Sequence, residues 1–163
     1  MMYRRFAAAV ALAVACSSAY AGSLANAYID DARNVHVVTA AGKDLQLTSD
    51  RQAKKVRLSA EGESVAWLVA PPADAGDEEG PAELRIYSRG RTRSIKCEPV
   101  IRDFWFWKQG SHIAIDCGGT HFAGREILYN VRSLKKITSF DQAEVPVEQR
   151  PKWSASSEQF ESD

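Results

Sequence analysis

The residues best suited to chemistry lie in one stretch, Asp116-Cys117-Gly118-Gly119-Thr120-His121-Phe122-Ala123-Gly124-Arg125-Glu126. Asp116 and His121 have the types for general acid–base work. His121, Asp116 and Glu126 have the types for a metal site, but their spacing fits no standard ligand motif. Gly118, Gly119 and Gly124 allow an unusual backbone path between strands. The plain alternative is a structured loop held by salt bridges. The sequence contains no Gly-x-Ser-x-Gly elbow, no Gly-x-Gly-x-x-Gly and no Walker sequence, so neither a serine nucleophile nor a nucleotide cofactor is indicated. A hydrolase using Asp116, His121 and Glu126 is therefore the least favoured of three function classes, and no enzymatic activity, metal or cofactor is expected.

Two other groupings stand out. In Phe104-Trp105-Phe106-Trp107, strand geometry sends the two phenylalanines one way and the two tryptophans the other. Both faces are then aromatic. Either this is an inner strand covered on both sides, or Trp105 and Trp107 lie open as a platform for a protein or glycan. Arg85, Arg89, Arg91, Arg93 and Lys96 surround a hairpin at Gly90. Such charge protects a sheet edge from pairing with other chains, or meets an anionic partner or headgroup. The acidic stretch at 74–79 is a candidate to neutralise it. His36 and His112 fall in β-type runs and read as structural.

The elements that must position these residues are short strands. Val35–Thr39, Leu45–Thr48, Lys55–Ser59, Ser64–Val69, Glu83–Ser88, Arg93–Cys97, Phe104–Trp107, His112–Asp116, Glu126–Val131 and Leu134–Phe140 alternate with turn signals at Gly42, Gly62, Gly90 and Gly110. Residues 24–33 suit a short helix or an extended lead-in. A repeat is present. A shift of 48 residues puts Gly62 on Gly110, Val65-Ala66 on Ile113-Ala114, and Val56 and Leu58 on Phe104 and Phe106. A shift of 42 puts Ile86-Tyr87 on Leu128-Tyr129 and Ile95 on Ile137. The two shifts agree if the loop at 69–82 is an insertion. Because Arg57 and Ser59 stand where the second copy has Trp105 and Trp107, the phenylalanine face is the expected core and the tryptophan face the variable one.

The repeated unit resembles the blade of TolB-type β-propellers, where a strand runs into a Ser-Pro-Asp-Gly turn, then a strand of the form x-x-Ile-Ala-Phe, then a hairpin. The corresponding residues are Ser59-Ala60-Glu61-Gly62 before Ser64-Val65-Ala66-Trp67, and Trp107-Lys108-Gln109-Gly110 before His112-Ile113-Ala114-Ile115. The family's proline and aspartate are absent from both turns. The resemblance covers about residues 34–140 and supplies two units and half of a third, short of the four to eight blades that close a ring. It implies an all-β fold of antiparallel, blade-like sheets, an open propeller fragment or a sandwich.

The ends of the chain set the context. Residues 1–21 read as an export signal, with Arg4 and Arg5, an apolar run Phe6–Ala15 and an Ala19-Tyr20-Ala21 cleavage site. The run is too short for a permanent transmembrane anchor. Lipidation at Cys16 is the alternative processing. The whole chain carries 21 basic and 21 acidic residues; removing Arg4 and Arg5 leaves 19 against 21, a net charge of −2. A nucleic-acid binder needs a cationic surplus and is excluded. Export leaves Cys97 and Cys117, which an oxidising compartment would join. Two isolated thiols make a poor zinc site. The expected organisation is a signal at 1–21, an all-β domain at 22–140 and a flexible tail at 141–163, whose two large apolar side chains, Trp153 and Phe160, either dock back on the domain, engage a partner or lie in solvent. The expected function is an exported, non-catalytic binding protein, periplasmic or secreted, that meets a protein or glycan of the cell envelope through Trp105, Trp107, His121 and Arg125. The alternative is an inhibitor or immunity-type protein that plugs an enzyme with residues 70–82 or 118–125.

Overall fold

The computed structural model describes residues 23–71, 80–119 and 122–155. The export segment with Cys16, most of the acidic loop, His121 and Phe160 lie outside them. Eleven strands run in chain order: β1 (Leu24–Ile29), β2 (Val35–Thr39), β3 (Asp44–Gln46), β4 (Ala53–Leu58), β5 (Ser64–Val69), β6 (Glu83–Ser88), β7 (Arg91–Lys96), β8 (Ile101–Trp107), β9 (His112–Cys117), β10 (Arg125–Asn130) and β11 (Lys136–Asp141). The expected all-β, antiparallel fold is observed. Residues 24–29 take the extended option and form β1.

The strands make three sheets, β1-β2-β3, β4-β5-β6-β7 and β8-β9-β10-β11, each with spatial order equal to chain order. This is the blade arrangement, and among the described residues the three blades form an open stack, not a closed ring. The sequence alternates because each sheet buries at least one face. In β5, the central strand of the middle sheet, all six residues are buried. Its Val65, Trp67 and Val69 pack toward the first sheet with Val35 and Val37, while Ala66 and Leu68 pack toward the third with Phe104, Ile113 and Ile115. Phe104 and Trp105 do point to opposite faces, the phenylalanine inward between sheets.

The repeat is real in register. Val56 pairs with Trp67 as Phe104 pairs with Ile115, and Ala66 pairs with Ile86 as Ala114 pairs with Leu128. The β5–β6 connection has thirteen residues and the β9–β10 connection seven, and those six extra residues are the difference between the two shifts. The fourth strand breaks the pattern: β10 and β11 slip register at Leu128/Tyr129, and Ile137, set equivalent to the buried Ile95, is instead 49% exposed. Every first strand also carries a bulge, at Leu24/Asn26, Lys54/Val56 and Ile101/Asp103. A bulge bends its strand and tightens the twist, and its recurrence gives each blade the same bent leading edge.

The Cys97–Cys117 disulfide is present, with Cα atoms 6.1 Å apart. It ties the end of β7 to the end of β9 and so links neighbouring blades. Chain entropy gives a loop of this size roughly 3 kcal/mol of stabilisation.

The tail expectation is corrected for residues 141–155. Gln142 N–H donates to Gly124 O at 2.8 Å, a short 3-10 turn forms at Val147–Gln149, and Trp153 is buried at 8% exposure against Trp105, Ala114 and Leu128 on the outer face of the third sheet. Of the outcomes open to Trp153, docking back on the domain is the one realised. This anchor has an apolar face to cover, because among the described residues no further blade packs there.

Candidate functional site

The open tryptophan platform is not formed. Trp105 is 8% exposed, and its indole N–H donates to Trp153 O at 2.6 Å. Trp107 and Phe140 are both half-buried at the margin of the same cluster. The covered-strand reading of Phe104–Trp107 is the one realised.

The Asp116–Glu126 stretch is a structural network. Asp116 and Glu126 stand directly opposite each other on β9 and β10, a like-charge pairing that needs compensation. Arg102, projected by the β8 bulge, donates from Nε and Nη2 to the two oxygens of Asp116 at 3.0 and 2.6 Å, and from Nη1 to Phe122 O at 3.0 Å. Gln142 completes it: its amide donates to Glu126 Oε1 at 3.0 Å, and its Oε1 accepts from Arg102 Nη2 at 2.7 Å. The glycines make room for this guanidinium. A Cβ on Gly124 would lie 2.2 Å from Arg102 Nη2, and one on Gly118 would lie 2.7 Å from Gly124 Cα. Arg125 lies apart from the network, on the surface, with a bidentate pair to Asp141 at 2.7 and 3.1 Å that holds the Asp141 carboxyl below its usual range. Asp116 and Glu126 are thus committed to holding the 141–155 segment. Phe122, at 77% exposure, projects from the same loop.

A second charged cluster lies on the outer face of the first sheet. His36 Nδ1 is 2.8 Å from Asp44 Oδ1, its Nε2 is 3.3 Å from Asp30 Oδ2, its ring stacks on Tyr28 at 5.0 Å, and the Tyr28 hydroxyl donates to Asp44. The Asp44 hydrogen bond, then charge from both carboxylates, raises the His36 pKa against the effect of partial burial; Asp44 is lowered in return. The sign follows from linkage. The His36 contribution to stability is fully present below the unfolded histidine value near 6.5 and is lost as pH rises through the raised folded value. The Asp44 contribution is present above the unfolded value near 3.8 and is lost as pH falls through the lowered folded value. Thermal unfolding between pH 6 and 9 should therefore show a stability decrease that His36→Gln removes. An equal slope in wild type and variant would refute the coupling.

The arrangement best suited to ligand contact was only half visible in sequence. The turns β4–β5, β6–β7, β8–β9 and β10–β11 all lie at one end of the second and third sheets. Between them is a cleft of about 760 Å³, open to solvent and lined by Ser59, Glu61, Glu63, Ser64, Ser88, Arg89, Arg91, Arg93, Lys108, Gln109, Gly110, Ser111, Asn130, Val131 and Arg132. Five cations face two carboxylates. Arg93 crosses between the sheets and donates to Arg132 O at 2.7 Å and Val131 O at 2.8 Å, which fixes the two walls relative to each other. Arg57, Arg85, Arg102 and Arg125 are each paired with an acid elsewhere, whereas Arg89, Arg91, Lys108 and Arg132 have no acidic partner among the described residues. Burial and the nearby Lys108 charge both push the His112 pKa down, consistent with a positive local field. Arg89, Lys108 and Gln109 hold φ of +53°, +48° and +55°, as the tight hairpin turns at Gly90 and Gly110 require; Arg33, Arg51, Lys55 and Leu134 hold positive φ outside the cleft.

The sequence cluster around Gly90 therefore divides. Arg89, Arg91 and Arg93 line the cleft, while Arg85 is turned away to Asp50 and Glu83. Lys108 and Arg132 were missed, although the 42-residue shift places Arg132 on the turn equivalent to Gly90. The described ends of the acidic loop, Pro71 and Gly80, follow the Val69↔Glu83 pair, at the opposite end of β5 and β6 from the Ser64↔Ser88 pair that borders the cleft. Among the described residues no helix is long and apolar enough to cross a membrane.

No protein-family model matches the chain, and no curated protein matches it. Among solved structures it is similar to the β-propeller domain of the Trilobed protease from Pyrococcus furiosus, a domain described as having an open velcro topology. The identity is 13% and the TM-score 0.46. The match covers 81% of this chain and 44% of that one, so the chain spans less than half of the structure it resembles.

Proposed function

We propose that the protein is an exported, non-catalytic binding module of the cell envelope whose contact surface is the cationic cleft at the turn ends of its second and third blades. The observation that carries this is the set of four cations, Arg89, Arg91, Lys108 and Arg132, gathered from three turns and without an acidic partner among the described residues. Unpaired charge in a concavity concentrates field and favours anions. The export signal and the Cys97–Cys117 bridge support an oxidising location, periplasmic or secreted. Asp116 and Glu126 are occupied in holding the 141–155 segment, which supports the non-catalytic reading. Titration calorimetry at low salt with a panel of anions (pyrophosphate, a glutamate-rich peptide and anionic lipid vesicles) tests it. At least one should bind, and Arg91→Ala/Arg132→Ala, at two exposed positions, should weaken that binding about tenfold or more. Binding by none of the panel overturns the proposal.

One observation favours the inhibitor reading as second: Phe122 projects from a loop whose base Arg102 pins at Phe122 O. An exposed aromatic whose own carbonyl is held suits insertion into another protein. Under that reading an enzyme captured from envelope extract is lost with Phe122→Ala and kept with Arg91→Ala/Arg132→Ala.

A further inference from the structure

We infer that the cleft takes an extended, carboxylate-rich peptide segment of a protein partner, a refinement that rests on the binding-module reading above. The first ground is spacing. The cations come from the β6–β7, β8–β9 and β10–β11 turns, on two sheets stacked face to face. Packed sheets lie about 10 Å apart and neighbouring strands about 4.8 Å apart, so charges on these turns are spread over something like 10 Å. One phosphate or carboxylate cannot reach them all, whereas a chain with several anionic groups can.

The second ground is the mixed wall. Glu61 and Glu63, on the turn facing those cations, border the same cleft. A polymer with uniform charge, such as a phosphodiester or sulfated chain, would meet repulsion there. A peptide places acids against the arginines and a neutral or basic residue against the glutamates, which is charge complementarity of the kind that sets register. The remaining lining is polar, with Ser88 and the amide of Asn130 beside a Ser111 hydroxyl that already donates to Lys108 O. The third ground is shape. A lipid surface needs cations on a protruding face, and here they line a concavity whose walls Arg93 holds together.

Fluorescence anisotropy of a labelled ten-residue peptide with glutamate at alternate positions tests this, using the full exported chain with its disulfide formed. The expected result is binding at least tenfold tighter than that of the glutamine counterpart and of pyrophosphate, weakened at least tenfold by Arg91→Ala/Arg132→Ala at unchanged melting temperature, and weakened as salt rises. If pyrophosphate or anionic vesicles bind through Arg91 and Arg132 and the peptide does not, this inference is overturned and the cleft reading stands. If the peptide binds equally well to the double variant, its site is elsewhere and the inference fails. If no anion binds, both fall together.

Discussion

Replacing Trp153 with alanine should lower the unfolding free energy by about 3–5 kcal/mol, the usual range for deleting a buried tryptophan. Trp153 is the anchor by which residues 141–155 cover the third sheet. Its ring packs with Trp105, Ala114 and Leu128, and lies 5.5 Å from the Phe140 ring. The segment has few other apolar contacts, so its polar ties through Gln142 and Arg150 would have to hold it alone. Losing the ring leaves a void and frees water to reach the Trp105 indole, whose hydrogen bond ends on Trp153 O. Urea unfolding followed by tryptophan fluorescence should show a lower midpoint with little change in slope. A loss under about 1 kcal/mol would mean that this covering segment contributes little to the fold.

Gly110→Ala should cost about 2–5 kcal/mol. Its φ of +87° places an alanine in a region that costs about 1–2 kcal/mol for a residue with a Cβ. The new Cβ would also lie 2.6 Å from Ser59 Cβ, and overpacking adds about 1–3 kcal/mol. Ser59 has no room to move: it is buried, and its hydroxyl accepts the Ser64 N–H at 3.1 Å. Gly62 has the same relation one blade earlier. Its Cβ would sit 2.3 Å from Leu24 O, and its own carbonyl accepts the Leu24 N–H at 2.7 Å. Gly90, at φ +76° with nothing within 4 Å of its Cβ, is the control that isolates strain from contact. Thermal unfolding should rank Gly110→Ala and Gly62→Ala well below Gly90→Ala. Equal melting points for all three would refute an interlock between blades.

The same interlock explains why the repeat was legible. Val56, Leu58, Phe104, Phe106, Val65 and Ile113 recur because each blade buries its first two strands against a neighbour, and Gly62 and Gly110 recur because each turn touches the blade before it. Strands bound on both faces, such as Ser64–Val69, have unambiguous patterns. The fourth strand of each four-stranded sheet, β7 or β11, is largely exposed, so Ile95 and Ile137 were free to diverge, and the shift that joined them failed. The Trp105 environment was hidden for a different reason. Whether a face is open depends on Trp153, 48 residues further along the chain in a segment of polar composition. The cleft was hidden because its cations come from turns far apart in sequence, and only the stacking of two blades brings Arg89 and Arg91 beside Lys108 and Arg132.

The outer face of the third sheet has a consequence for assembly. A stack of blades that stops short of a ring would ordinarily leave a sticky apolar surface at each end, and successive molecules could add there without limit. Here Trp153 shields one end. At the other, Tyr28, His36 and Asp44 make the surface hydrophilic. Terminal units with such outer surfaces keep stacked-repeat proteins dispersed. Among the described residues, end-to-end addition would meet a face already covered by Trp153 at one side and a charged one at the other, and the sheet edges carry Arg91, Arg93 and Lys136, which repel a like strand.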